Sequence, residues 1–340
     1  MLLVVFGAGA SYDSVPHRPV DPPQWQPYRP PLANQLFEDR PLFVEAMSRF
    51  PQCQPVIPDL RNVSPTVGVE QVLSRFESEA TSYPERHKQL AAIKYYLRYA
   101  LLECQRLWGL EHKGITCYKT LLDQIEKWRC VTGERVCLVT FNYDTMLEEA
   151  LREFFHLELQ HLDHYLFEHV GYMLIKLHGS VNWGREVASS FAPGTVPTTH
   201  LLIENAAKLK ISKQYRLINS SEMLVEEGHV VFPALAIPVE SKDSFECPDY
   251  HVKALHDSLL EVTKILTIGW RAREADFLEM LQTLGPRPRQ LMVVSGNERC
   301  AQETHRNLAG RGMGLTKLVL GNGGFTELIR SREVETFLKG

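Results

Sequence analysis

The chain has 340 residues, 44% of them hydrophobic and 23% charged, with 37 Lys plus Arg against 41 Asp plus Glu for a formal charge of −4. That balance excludes a disordered or fibrous protein. It also leaves no basic excess to neutralise a phosphate backbone, so no direct nucleic-acid binding is expected. No apolar run approaches the roughly 18 residues that a membrane span requires.

The N-terminal run LLVVF, residues 2–6, is apolar and ended by glycine. It reads as a buried parallel strand. It lacks a basic n-region and is too short for a signal peptide, which gives the expectation of a cytoplasmic protein. The 7 cysteines are scattered, without CxxC spacing, as reduced core thiols are. Seven prolines at 16, 19, 22, 23, 27, 30 and 31 bar a helix from the next stretch, which reads as a long loop.

From 31 to about 130 the pattern is helical. It is clearest at 85–110, where Leu90, Ile93, Tyr96, Leu97, Ala100, Leu101 and Cys104 recur at three-and-four spacing. This predicts a helical insertion module whose stripe is either core or a contact for a partner. Strand patterns return at 135–141, 173–177, 265–268, 290–294 and 316–320, alternating with helical ones at 145–155, 250–262, 275–284, 297–309 and 326–338. Such alternation predicts an α/β fold, a doubly wound parallel sheet of Rossmann type. The text of 185–230 is polar and is expected to be a second, irregular insertion within a single domain spanning 1–340.

In a sheet of this kind ligands bind outside the carboxyl ends of the strands, so residues there are the candidates. Gly7-Ala8-Gly9-Ala10-Ser11 follows the first strand. Its glycines suit either a pyrophosphate-binding turn or a plain tight turn. The third glycine of the dinucleotide fingerprint is missing at the Tyr12-Asp13 region, and no acid ends a second strand about 20 residues on. Phe141-Asn142-Tyr143-Asp144 follows the second strand, where Asn142 and Asp144 face the crevice or cap the next helix. His178-Gly179-Ser180 follows the third, placing an imidazole as a general base or as a structural histidine. Gly269-Trp270 and Ser295-Gly296-Asn297 complete the edge. His161, His164 and His169 lie without ligand spacing, so no metal is expected.

The ordered set GAGAS, FNYD, LHGS, TIGWRAREADFLEML and VVSGNE resembles the sirtuins, and specifically the sirtuin-like NAD hydrolases of bacterial anti-phage defence. The resemblance implies NAD as substrate. Gly7, Ala8, Gly9, Ala10 and Ser11 would meet its phosphates, Asn142 and Asp144 would lie with Phe141 at the nicotinamide and its ribose, and His178 would be the base. Gly269, Trp270, Ser295 and Asn297 would surround the adenosine half. Protein-deacylating sirtuins carry a four-cysteine zinc module that is absent here, and Val231-Phe-Pro-Ala234 replaces their peptide-pairing strand. The expected reaction is therefore hydrolysis of the nicotinamide–ribose bond, depleting NAD in an abortive-infection response. The family resemblance further implies a gate, by homo-oligomerisation or by a partner such as a HerA-like ATPase or a short Argonaute. A non-hydrolysing NAD or ADP-ribose sensor and a zinc-free deacylase are the alternatives.

Overall fold

Every side chain of β1 (Leu2–Phe6) is buried, as in a parallel strand covered on both faces. In the computed structural model, which describes residues 1–15, 26–63, 68–188, 197–218, 225–226, 229–237, 245–285, 289–309 and 315–340, this strand lies inside a six-stranded parallel sheet. With β2 (Val136–Thr140), β3 (Tyr172–Lys176), β8 (Lys264–Ile268), β9 (Arg289–Ser295) and β10 (Leu315–Asn322), the order is β10-β9-β8-β1-β2-β3. The chain builds outward from β1 to β3, then returns to build outward from β8 to β10. The direction of winding therefore reverses between β1 and β8, which makes that gap the switch point of a doubly wound sheet.

Register decides which residues share the carboxyl edge. Phe6 is level with Thr140 and Ile268, Thr140 with Lys176, and Ile268 with Val294. The residues that come next, Gly7, Phe141, Leu177, Gly269 and Ser295, form one row. The five motif-bearing strands are thus aligned by backbone pairing alone.

The helices are α1 (Ala8–Tyr12), α2 (Pro41–Arg49), α3 (Ile57–Arg61), α4 (Val69–Glu79), α5 (Glu85–Glu111), α6 (Cys117–Thr132), α7 (Met146–Phe155), α8 (Thr199–Glu204), α9 (Asp249–Leu259), α10 (Ala275–Gln282), α11 (Glu298–Ala309), α12 (Gly324–Ser331) and α13 (Glu333–Lys339). The text expected to form one helix over 326–338 is divided because Arg332 takes a left-handed conformation, φ 56°. The helical text of 31–130 also divides. Cys117, Tyr118, Leu121, Leu122 and Ile125 of α6 belong to the core of the parallel sheet. Helices α2 to α5 build a second core, in which Phe37, Phe76 and Tyr96 meet Val181, Phe232 and Leu235. All seven residues of the α5 stripe are buried, so the stripe is core.

The largest departure from expectation is the segment read as irregular. Its described residues include β5 (Ile211–Leu217) and β6 (Val225–Glu226), which with β4 (Gly179–Val187) and β7 (His229–Leu235) at its two ends make an antiparallel sheet in the order β5-β4-β7-β6. Its outer strand β5 reads ISKQYRL, with Lys213 and Gln214 exposed, Leu217 buried and the rest half-buried, so it shows no apolar alternation. Strand β4 begins inside the LHGS motif, where glycine suggests a turn. Val231 to Ala234 lie within β7, whose Pro233 faces Gly184 next to a register shift, a place where a missing N–H is tolerated. Of the proline-rich stretch, residues 26–31 are described and form no helix, while 16–25 lie outside the described residues. Among the described residues no helix is long and apolar enough to cross a membrane.

Candidate functional site

At the switch point the contact is backbone on backbone. The N–H groups of Gly7 and Gly9 donate to the carbonyls of Ile268 and Gly269 at 3.1 Å each. Gly269 has φ +60°, and a Cβ there would lie 2.3 Å from the Ala10 nitrogen and 2.6 Å from Gly9 Cα. No other residue fits between these turns. The helix that follows is short, and Asp13, standing in the region of the missing third glycine, accepts from the Thr326 N–H and hydroxyl at 2.9 Å each. Asp13 thereby holds the first turn of α12.

On the other side of β1 the contacts are made by side chains. Asn142 is 6% exposed, and its Nδ2 donates to Ser11 Oγ at 2.9 Å. Ser11 Oγ also lies 3.0 Å from the hydroxyl of Tyr118 on α6. With the amide nitrogen so engaged, Asn142 Oδ1 is buried without a hydrogen-bond partner among the described residues. A buried acceptor left unmade is costly unless something completes it. Tyr118 was not among the sequence candidates, because a tyrosine on an amphipathic helix reads as core.

The His178 ring lies 4.9 Å from Phe141 and 6.2 Å from Tyr143, the two residues that flank Asn142. Burial pushes its imidazole down to about 4, with a hydrogen bond to the Phe141 backbone acting the other way. The ring is therefore neutral at physiological pH and able to accept a proton. Trp270, 2% exposed, stacks on Phe141 at 5.6 Å and 9° and donates its indole N–H to Glu274 at 2.6 Å. Phe141 and Trp270 thus form one aromatic wall across the end of β1.

The remaining candidates have structural work of their own. Asp144 Oδ1 accepts the Met146 N–H at 3.1 Å, closing an Asx turn at the start of α7. Asn297 Oδ1 accepts the Cys300 N–H at 2.9 Å and caps the exposed start of α11. Ser295 is buried at the end of β9, its carbonyl accepting the Gly323 N–H at 3.2 Å. Ala8 and Ala10 lie in α1, with Ala10 fully buried. No group of three His, Cys, Asp or Glu side chains is placed to hold a metal among the described residues.

Sequence reading also missed a buried ion pair. Lys176, the last residue of β3, is fully buried and lies 2.7 Å from Glu148 Oε1 on α7. Its ammonium also donates to the Asp144 carbonyl. A lysine inside YMLIK offers no signal beyond its apolar neighbours.

No family model matches this chain and no curated protein matches it. Among solved structures it is similar to Sir2Tm bound to a propionylated peptide, at 13% identity over 99% of this chain and 94% of that chain, with a TM-score of 0.41. It is also similar to Sir2 in complex with an inhibitor, 2′-O-acetyl-ADP-ribose and a deacetylated peptide, at 12% identity over 99% and 94% of the two chains and a TM-score of 0.40. A third, Sir2 bound to acetylated peptide, aligns at 13% identity over the same shares and a TM-score of 0.40.

Proposed function

We propose that this chain is a sirtuin-like NAD⁺ glycohydrolase that cleaves the nicotinamide–ribose bond to give nicotinamide and ADP-ribose. The observation that carries this reading is the buried Asn142 amide with its unpartnered Oδ1, in the loop whose Phe141 and Tyr143 rings meet a neutral His178 at the carboxyl edge of a doubly wound sheet. Cleavage passes through an oxocarbenium-like state, for which an enzyme must hold the ribose and orient a nucleophile. Asn142 Oδ1 would accept from the attacking water or a ribose hydroxyl. As the C1′–N bond breaks, its electron pair leaves with nicotinamide, the water oxygen bonds C1′, and the water proton passes to His178. The turns at Gly7 to Ser11 and at Gly269 would lie along the dinucleotide, and the Phe141–Trp270 wall would bound it. An NAD-depleting role in anti-phage defence, gated by oligomerisation or by a HerA-like ATPase or short Argonaute partner, belongs to the same proposal and follows from the motif resemblance.

The test is chromatographic detection of nicotinamide after incubating purified protein with NAD. The wild type is expected to release it, with His178→Ala and Asn142→Ala each slower by about 100-fold or more. NAD consumption retained in both variants overturns the assignment. Calorimetric NAD binding without release identifies a sensor module instead.

A further inference from the structure

Lys176 and Glu148 are the only two oppositely charged side chains in ion-pair contact, among the described residues, that are both essentially shut off from solvent. Removing two charges from water costs more than their attraction commonly returns, so stability is a poor reason for such a pair. Its location supplies another. Lys176 stands two residues before His178 and binds the carbonyl of Asp144, two residues after Asn142. One ammonium therefore ties both loops of the site together.

The surrounding bonds extend the tie. Tyr143, between Asn142 and Asp144, offers its carbonyl to the Val181 N–H at 2.9 Å and the Ser180 hydroxyl at 3.2 Å. The Leu177 N–H donates to Thr140 at 3.2 Å. Glu148 Oε1 accepts from the Tyr165 hydroxyl at 3.4 Å, and that hydroxyl accepts from the Trp183 indole at 3.2 Å. The network runs from α7 through β3 to β4, so it couples the parallel sheet to the antiparallel one beneath the site. Burial holds the Glu148 carboxyl above the usual carboxylate range against the pull of Lys176.

We propose that Lys176 and Glu148 are positioning residues, a buried ion pair that fixes the Asn142 loop against the His178 loop in the geometry the reaction needs. The inference rests on the glycohydrolase reading for its consequence in turnover and on the network alone for its consequence in structure. The two are read separately.

The decisive variant is Lys176→Met with Glu148→Leu, which replaces the pair by apolar side chains and leaves no buried charge unpaired. Native-state hydrogen exchange is expected to show the Val181 amide exchanging at least roughly tenfold faster, with Val139 in the strand interior unchanged. Nicotinamide release is expected to fall about 100-fold in kcat with KM changed less than about threefold, as displacement of held catalytic groups by about 1 Å produces. Val181 exchange equal to wild type in the folded double variant overturns the proposal, and so does an unchanged kcat. Loosened Val181 in a protein whose wild type cleaves no NAD sustains the positioning role and defeats the hydrolase reading. If the double variant does not fold, Glu148→Gln keeps the shape and removes one charge, and the same faster Val181 exchange is expected, its absence again overturning the proposal.

Discussion

The two sides of β1 are built on different physics. Toward β8 the site is backbone against backbone, with Gly7, Gly9 and Gly269 packed so closely that shape leaves no alternative. Toward β2 and β3 it is side chain against side chain, with Asn142, Lys176 and Glu148 buried, His178 half-buried, and Asn142 Oδ1 and Glu148 Oε2 without a hydrogen-bond partner among the described residues. The first side tolerates no added atom and holds no titratable group in its contact. The second is sensitive to charge, pH and hydrogen bonding. A mutation therefore tells different things depending on which side of one strand it falls.

The hardest break is Gly269→Val. A β-branched side chain at φ +60° against the Ala10 nitrogen combines strain with a clash that flexible atoms cannot relieve. Loss of more than about 4 kcal/mol is expected, seen as failure to fold or as collapse of the denaturant midpoint. Wild-type stability in that variant would show that the glycine side is not close-packed.

Lowering the pH should strain the other side. His178 and the fully buried His251 are both pushed down to about 4 by burial, against 6.5 as the ordinary value. The His251 ring lies 6.0 Å from that of Tyr165, beneath the site. Between pH 6.5 and 4 the unfolded chain binds protons that the folded chain refuses, so stability is full above about 6.5 and falls as pH drops toward 4. His251 alone should contribute about 3 kcal/mol of that fall. Chemical denaturation across this range, compared between wild type and His251→Leu, isolates its share because Glu148, with its raised carboxyl, contributes a slope of opposite sign to both proteins. Parallel stability curves for the two proteins would show that the histidine is not buried neutral.

The mildest change sharpens the boundary of the site. Asn297→Ala removes the cap of α11 and should cost about 0.5–2 kcal/mol in urea unfolding. Its KM for NAD should stay within about twofold if the side chain serves the helix rather than the adenosine. A KM increase without loss of stability would move Asn297 into the site.

The parallel sheet was legible because its strands are short apolar runs, buried on both faces in β1, β2 and β3, and because glycine, asparagine or histidine follows the motif-bearing strands where the edge begins. The antiparallel sheet was not, since β5 exposes both Lys213 and Gln214, on opposite faces, and β4 starts at a glycine. Asp144 and Asn297 show the reverse case. Their sequence positions suit either a ligand or a helix start, and the observed bonds are those of helix starts.

By itself the sequence determined the alternation of strands and helices, the motif at the end of each strand and the apolar stripe of α5, because periodicity and breakers act over a few residues; that the stripe is core was decided by the fold. Only the tertiary structure decided that Tyr118, 107 residues from Ser11, orients Asn142 through it, and that Lys176 meets Glu148 under the site. Those contacts join residues distant along the chain, and burial of a polar group becomes meaningful only when its partners are known.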